Sequence, residues 1–271
     1  MNAVQLFLLC SILLLQQNQP VNKEAILETI LSETKPAKTI PMQFNATAND
    51  ESQQKGGSTP DEVLLKQGVE LYNAELYERS LQLLERLQKD YPQSPFKDQA
   101  SLWKAKIFMQ QQKYTNAMNE LLTINDQSGQ YPAALFMSGR VNQAMGKPFD
   151  AIEQYTKVSS LYPDQDFSDD ALILSAQLYI SQKKGNAALQ ALIRVIKQYP
   201  DRETVDDAYY WLGKILATDP NLKDIELARK VYTIFLKRAE DPAYIAFYSS
   251  PLKERVADEI KRIDAIYFPE Q

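Results

Sequence analysis

The chain has 271 residues, 44% of them hydrophobic and 24% charged, with a net charge of −5. That balance excludes the concentrated basic face on which nucleic-acid binding depends. There is no histidine and a single cysteine, Cys10, which excludes the usual zinc ligand sets, Cys-His catalysis and an intrachain disulfide.

Residues 6–15, LFLLCSILLL, form the one strongly apolar run. It is too short to span a bilayer and stands where the core of a secretory signal stands. Residues 1–5 carry no positive charge and no Ala-x-Ala follows, yet export is the expectation, with 1–20 as a signal-like or anchor segment. Cys10 is a candidate lipidation site, although Leu9 occupies the place where the processing peptidase prefers a small residue. The alternative is an apolar tail on a cytoplasmic protein. Residues 21–32 predict a short helix through Ile26, Leu27, Ile30 and Leu31. From 33 to 59 the chain is polar, with Pro36, Pro41 and Gly56-Gly57, a composition that buries too little apolar surface to offset its ordering entropy. The Asn45-Ala46-Thr47 triplet matches a glycosylation sequon, a pattern common by chance.

Thr59-Pro60-Asp61-Glu62 then opens a folded body: a capping hydroxyl, a proline at the first helical position and acids at the positive end of the dipole. Asp169-Asp170 after Ser168, and Asp207 after Thr204, repeat the device, and these acids read as structural. Tyr-Pro recurs at Tyr91-Pro92, Tyr131-Pro132, Tyr162-Pro163 and Tyr199-Pro200. Between these marks lie five copies of one helical hairpin: 61–94, 98–131, 132–165, 169–202 and 206–241. The copy at 169–202 is the clearest, with Leu172, Ala176 and Tyr179 on one arm and Ala188, Leu192 and Val195 on the other. Gly68, Ala105, Gly139, Ala176 and Gly213 recur where each first helix presses on its own partner. Ser80, Ala117, Ala151, Ala188 and Ala228 recur where the second helix is expected to approach the next copy, since close approach demands short side chains. The fifth copy has a longer turn, 219–224. Residues 242–271 predict a terminal cap, in which Leu252, Val256, Ile260 and Ile263 form an apolar stripe that would seal the last hairpin.

The pattern, clearest in DAYYWLGKIL at 207–216 and in YPQSPFKDQASLWKAKIFMQQQKYTNAMNELL at 91–122, resembles the tetratricopeptide repeat over about 61–241. The resemblance implies an all-α right-handed superhelix of about five hairpins, residues 60–241, with a concave groove that binds peptides or partner proteins. The sequence departs from the family at Asn142 and Gly185, where a large apolar or aromatic residue is usual, so those two hairpins are expected to pack less tightly. The junction Tyr91-Pro92-Gln93-Ser94-Pro95, followed by Asp98-Gln99-Ala100, resembles those of exported bacterial repeat families, the BamD and CpoB (YbgF) lipoprotein and periplasmic types. That implies a periplasmic or membrane-anchored, non-enzymatic scaffold; a BamD-like outer-membrane assembly component and a cytoplasmic adaptor are the alternatives.

Laid on the family's groove, residues one turn before and after the small packing position face inward: Tyr72 and Asn73, Leu102 and Lys106, Phe136, Arg140 and Gln143, Ile173 and Gln177, Tyr210 and Lys214. Lys106, Arg140 and Lys214 occupy equivalent places, interleaved with aromatics. Such a face suits an acidic or C-terminal protein segment held by ion pairs and apolar anchors. No phosphate-binding glycine loop, nucleophile elbow or metal-spaced carboxylate pair occurs. Neither catalysis nor a cofactor is expected.

Overall fold

The computed structural model describes residues 26, 28–30 and 58–269. The apolar run at 6–15, Cys10, the polar stretch 33–57 and the 45–47 triplet lie outside them. Twelve helices and no strand occur beyond Ser58 among the described residues: α1 (Pro60–Asn73), α2 (Tyr77–Asp90), α3 (Lys97–Gln110), α4 (Tyr114–Leu122), α5 (Tyr131–Ala144), α6 (Pro148–Leu161), α7 (Ser168–Ser181), α8 (Gly185–Gln198), α9 (Val205–Thr218), α10 (Ile225–Ala239), α11 (Ile245–Tyr248) and α12 (Lys253–Tyr267). They fall into two compact units. One ends at Gln165; the other begins at Asp166 and also holds the described residues of the N-terminal stretch, 26 and 28–30.

In the first unit α1 pairs with α2, α3 with α4 and α5 with α6; in the second α7 pairs with α8 and α9 with α10. Hairpins stack by second helix on following first helix, α2 on α3, α4 on α5 and α8 on α9. The small residues explain the pairing. A Cβ on Gly139 would lie 2.5 Å from the Tyr155 ring, one on Gly68 would lie 2.9 Å from Leu84, and one on Gly213 would strike Tyr232. Glycine thus faces a tyrosine ring in two hairpins and a leucine in one, while Ala105 shares a buried cluster with Leu121, and Ala176 and Leu192 are buried at the equivalent positions. Ser80 differs from expectation: its hydroxyl donates to the Gly68 carbonyl at 2.6 Å, inside its own hairpin and not toward the next.

The turns obey backbone sterics. Glu75, Gln112, Gly146 and Lys183, each seven residues after the small packing position, take φ between 57° and 70° and reverse the chain. The fifth hairpin has Pro220 there, and proline cannot take positive φ. Its turn is therefore longer. Asp219 Oδ1 accepts from the backbone N–H groups of Asn221 and Leu222, and Asp224 caps α10 by accepting from Leu227 N–H at 3.0 Å. This longer turn also corrects the expectation for Gly185. The residue is buried, and a Cβ would collide with Asp219 and Leu222. Glycine there admits the turn, and the α7–α8 hairpin is tightly closed, with Ala176, Ala188, Leu189, Leu192 and Val195 at 0% exposure. Asn142 is likewise buried.

Helix starts are tied differently from the capping expected. The Thr59 hydroxyl caps no backbone N–H, and Ser168 lies inside α7, after Phe167 at the cap. First-turn acids instead accept from hydroxyls one repeat later. Ser94 Oγ donates to Asp61 at 2.6 Å and Thr204 Oγ1 to Asp169 at 2.7 Å, and the Ser250 side chain hydrogen-bonds Asp206. The terminal segment packs back as a cap: α12 lies on α10, and α11 touches α9 and α10. Phe247 is held between Tyr209 and Phe235 at 5.2 Å each, and Val256 and Ile263 are buried.

Candidate functional site

Each unit presents one first helix with tryptophan three residues before lysine, a spacing that stacks the two side chains on the helix surface. On α3, Lys106 Nζ stands 3.8 Å from the Trp103 ring centroid. On α9, Lys214 Nζ stands 5.3 Å from Trp211 and donates to the Tyr210 hydroxyl at 3.3 Å. The ring face carries negative charge density, so it fixes the ammonium without neutralising it.

In the first unit this pair extends into a larger patch. The Tyr72 ring meets Trp103 edge-on at 5.0 Å and lies 5.7 Å from Tyr77. Arg140, one hairpin further on, is exposed. Burial, and then the Arg140 charge, hold the Lys106 ammonium below its ordinary pKa. Among the described residues neither cation has an acid within ion-pair distance. Phe136 packs 5.8 Å from Tyr155, and the Tyr155 hydroxyl donates to Gln143 Oε1 at 3.0 Å. Burial pushes that phenol well above the usual tyrosine range, so it stays neutral and a donor. Tyr72, Lys106, Phe136, Arg140 and Gln143 thus share one region, while Asn73 is exposed at the end of α1.

Three of the expected groove residues belong to the core. Leu102, Ile173 and Tyr210 are 7%, 5% and 3% exposed. Leu102 packs with Ala105, Leu121, Met137 and Val141. Tyr210 is enclosed by Trp211 at 5.3 Å and Tyr232 at 6.4 Å, with the Arg255 guanidinium of α12 5.7 Å from its ring. Neighbouring elements cover Leu102 and Tyr210, which a single helix's periodicity does not report. Gln177 and Lys214 are half-buried. Trp103 and Trp211 were the residues missed; their common spacing to lysine was the available signal.

Among the described residues no group of three histidine, cysteine or acidic side chains is placed to hold a metal ion. Comparison with curated protein sequences gave no match. Two solved structures resemble the chain: MamA protein, with TM-score 0.52 and 15% identity over 78% of this chain and 97% of that one, and a tetratricopeptide repeat protein from Parabacteroides merdae, with TM-score 0.53 and 14% identity over 77% and 80%. At these identities the likeness is one of fold. The tetratricopeptide repeat family matches residues 65–135 and 142–215, together more than half of the sequence, and the chain belongs to that family.

Proposed function

We propose that the chain is a non-enzymatic scaffold whose 58–165 unit captures a carboxylate-bearing segment of a partner protein. Tetratricopeptide repeats are protein-interaction scaffolds. The observation that carries the finer reading is the Lys106–Arg140 pair: burial and then the nearby guanidinium hold the Lys106 ammonium below its ordinary pKa, with no acid within ion-pair distance of either cation among the described residues. An incoming carboxylate relieves that repulsion. Tyr72, Trp103 and Phe136 supply adjacent ring surface for apolar anchors. In a protein of net charge −5, a local cationic patch also steers which end of an acidic partner arrives.

The reading is tested with a fluorescent acidic peptide ending in a free carboxylate. Charge reversal of Lys106, Arg140 and Lys214 together should abolish binding and leave the helical circular dichroism unchanged. Retained binding would rule the face out. Reversing Lys214 alone asks whether the second unit takes part.

The N-terminal sequence supports an envelope location: an apolar run, a polar tether and a folded interaction body are in the order expected of a protein anchored at the periplasmic side. Fractionation with mass spectrometry of the mature N-terminus decides it. Acylated Cys10 or a cleaved end supports export, whereas an intact Met1 in the soluble cytoplasm returns the chain to the cytoplasmic-adaptor reading.

A further inference from the structure

The two units differ at the face their first hairpin presents in front. In the first unit, hydrogen bonds identify which side of a first helix meets the helix before it: Lys104 Nζ reaches back to Gln88 Oε1 at 3.0 Å. On α1 the residues of that side have no hairpin before them among the unit's described residues, and they face outward. Val63 is 37% exposed, and Gln67 and Glu70 are exposed, as is Arg79 on α2. On α7 and α8 the equivalent side is sealed. Ala171 is 0% exposed and Ser175 3%, and Ala187 and Ala191 are 7% each. The equivalents of Ala187 on α4 and α6, Asn116 and Asp150, are exposed like Arg79.

Two further observations show that a solid element closes this face. The Ser175 hydroxyl is buried with no hydrogen-bond partner, the mark of apolar cover. Burial also holds the Arg194 guanidinium, next on the α8 stripe, below its ordinary value. Within the unit α8 packs on α7 and α9; Leu189, Leu192, Val195 and Ile196 are buried, and Ala187 and Ala191 lie at a different angle around the helix from Leu192 and Val195. The same unit contains a short N-terminal stretch. Residues 26 and 28–30 are helical, with Ile26 1%, Ile30 2% and Thr29 8% exposed and Glu28 outward. Ile26, Thr29 and Ile30 share one helical face.

We propose that the front of α7–α8 is a helix-docking site, and that its occupant is the chain's own N-terminal helix, seated through Ile26 and Ile30 on Ala171, Ala187 and Ala191. Small side chains at four-residue spacing let a crossing helix approach closely, and two isoleucines fill the gap. The segment takes the place that a second helix holds on α3 and α9, and covers an apolar end of its repeat unit. An element from the far end of the sequence thereby joins the N-terminus to the second unit.

The test uses the full chain. In Ile26→Asp/Ile30→Asp, amides of 171–178 and 187–194 should exchange with solvent about tenfold faster or more, with α1–α6 unchanged and Glu28→Ala silent. A synthetic peptide of residues 21–32 should then bind the double variant saturably and restore protection, and should fail to bind the unaltered chain. A second variant, Ala187→Arg/Ala191→Leu, copies Arg79 and Leu83 of α2, a helix that folds with them. It should keep its helicity and make residues 26–30 protease-sensitive. Unchanged exchange at 171–194 in the first variant, or continued protection of 26–30 in the second, overturns the assignment.

Discussion

Between its first two hairpins the unit ending at Gln165 holds a partly buried polar network around Lys104, whereas the unit beginning at Asp166 places larger apolar and aromatic side chains there. In the first, Lys104 is 8% exposed and reaches Glu120 at 2.8 Å and Gln88 at 3.0 Å. Gln88 donates to Ser101 at 2.8 Å, and Ser101 and Thr123 hydroxyls lie 3.1 Å apart. In the second, Ile196 stands for Gln88, Leu212 for Lys104 and Tyr209 for Ser101, all buried. The repeat geometry therefore accepts either chemistry. An apolar joint depends mainly on area and volume, and tolerates small shifts. A polar joint holds one register, because each buried donor must keep its acceptor.

The largest effect should come from breaking the polar joint. Lys104→Ala leaves Glu120 and Gln88 without their partner and should cost about 3 kcal/mol, read by denaturant unfolding, with faster hydrogen exchange confined to α1–α6. Converting the joint toward its counterpart, with Gln88→Ile, Lys104→Leu and Glu120→Leu together, should cost less than that single change. A larger loss would mean that the joint's shape, and not its charge, is decisive.

Overpacking comes next. Ala151 of α6 is 0% exposed, so Ala151→Leu should destabilise by about 1–3 kcal/mol. The two glycine-facing tyrosines give a finer contrast. Tyr155→Phe loses the bond to Gln143 and should cost about 1 kcal/mol. Tyr232 has a buried hydroxyl without a partner, so Tyr232→Phe should be neutral or stabilising; an equal loss at both sites would contradict the pairing described.

The smallest effect is electrostatic and belongs to the second unit. Burial, then Asp206 and Asp170, raise the Asp207 carboxyl to about 6. The folded chain therefore holds a proton that the unfolded chain releases near 3.8. Stability falls as pH rises between those values and stays lower above them. Asp207→Asn should raise the melting temperature above pH ~6.5 by a few degrees at most, because the group is partly solvated, and the two curves should meet near pH ~4. An increase that persists in acid would assign the gain to packing.

Amino-acid order alone determined the helices, their pairing and the tight points between them. Period, proline and the recurrence of Gly68, Ala105, Gly139, Ala176 and Gly213 are local signals, and each maps onto a contact inside one hairpin. The same order placed Lys106 and Arg140 on one face. It could not show that Leu102, Ile173 and Tyr210 are covered, that Gly185 makes room for the turn at Asp219–Leu222, or that Ile26 and Ile30 are buried with the second unit. The reason is physical: periodicity tells which way a side chain leaves its own helix, but burial depends on what arrives from tens of residues away. Only chain closure in three dimensions decides that.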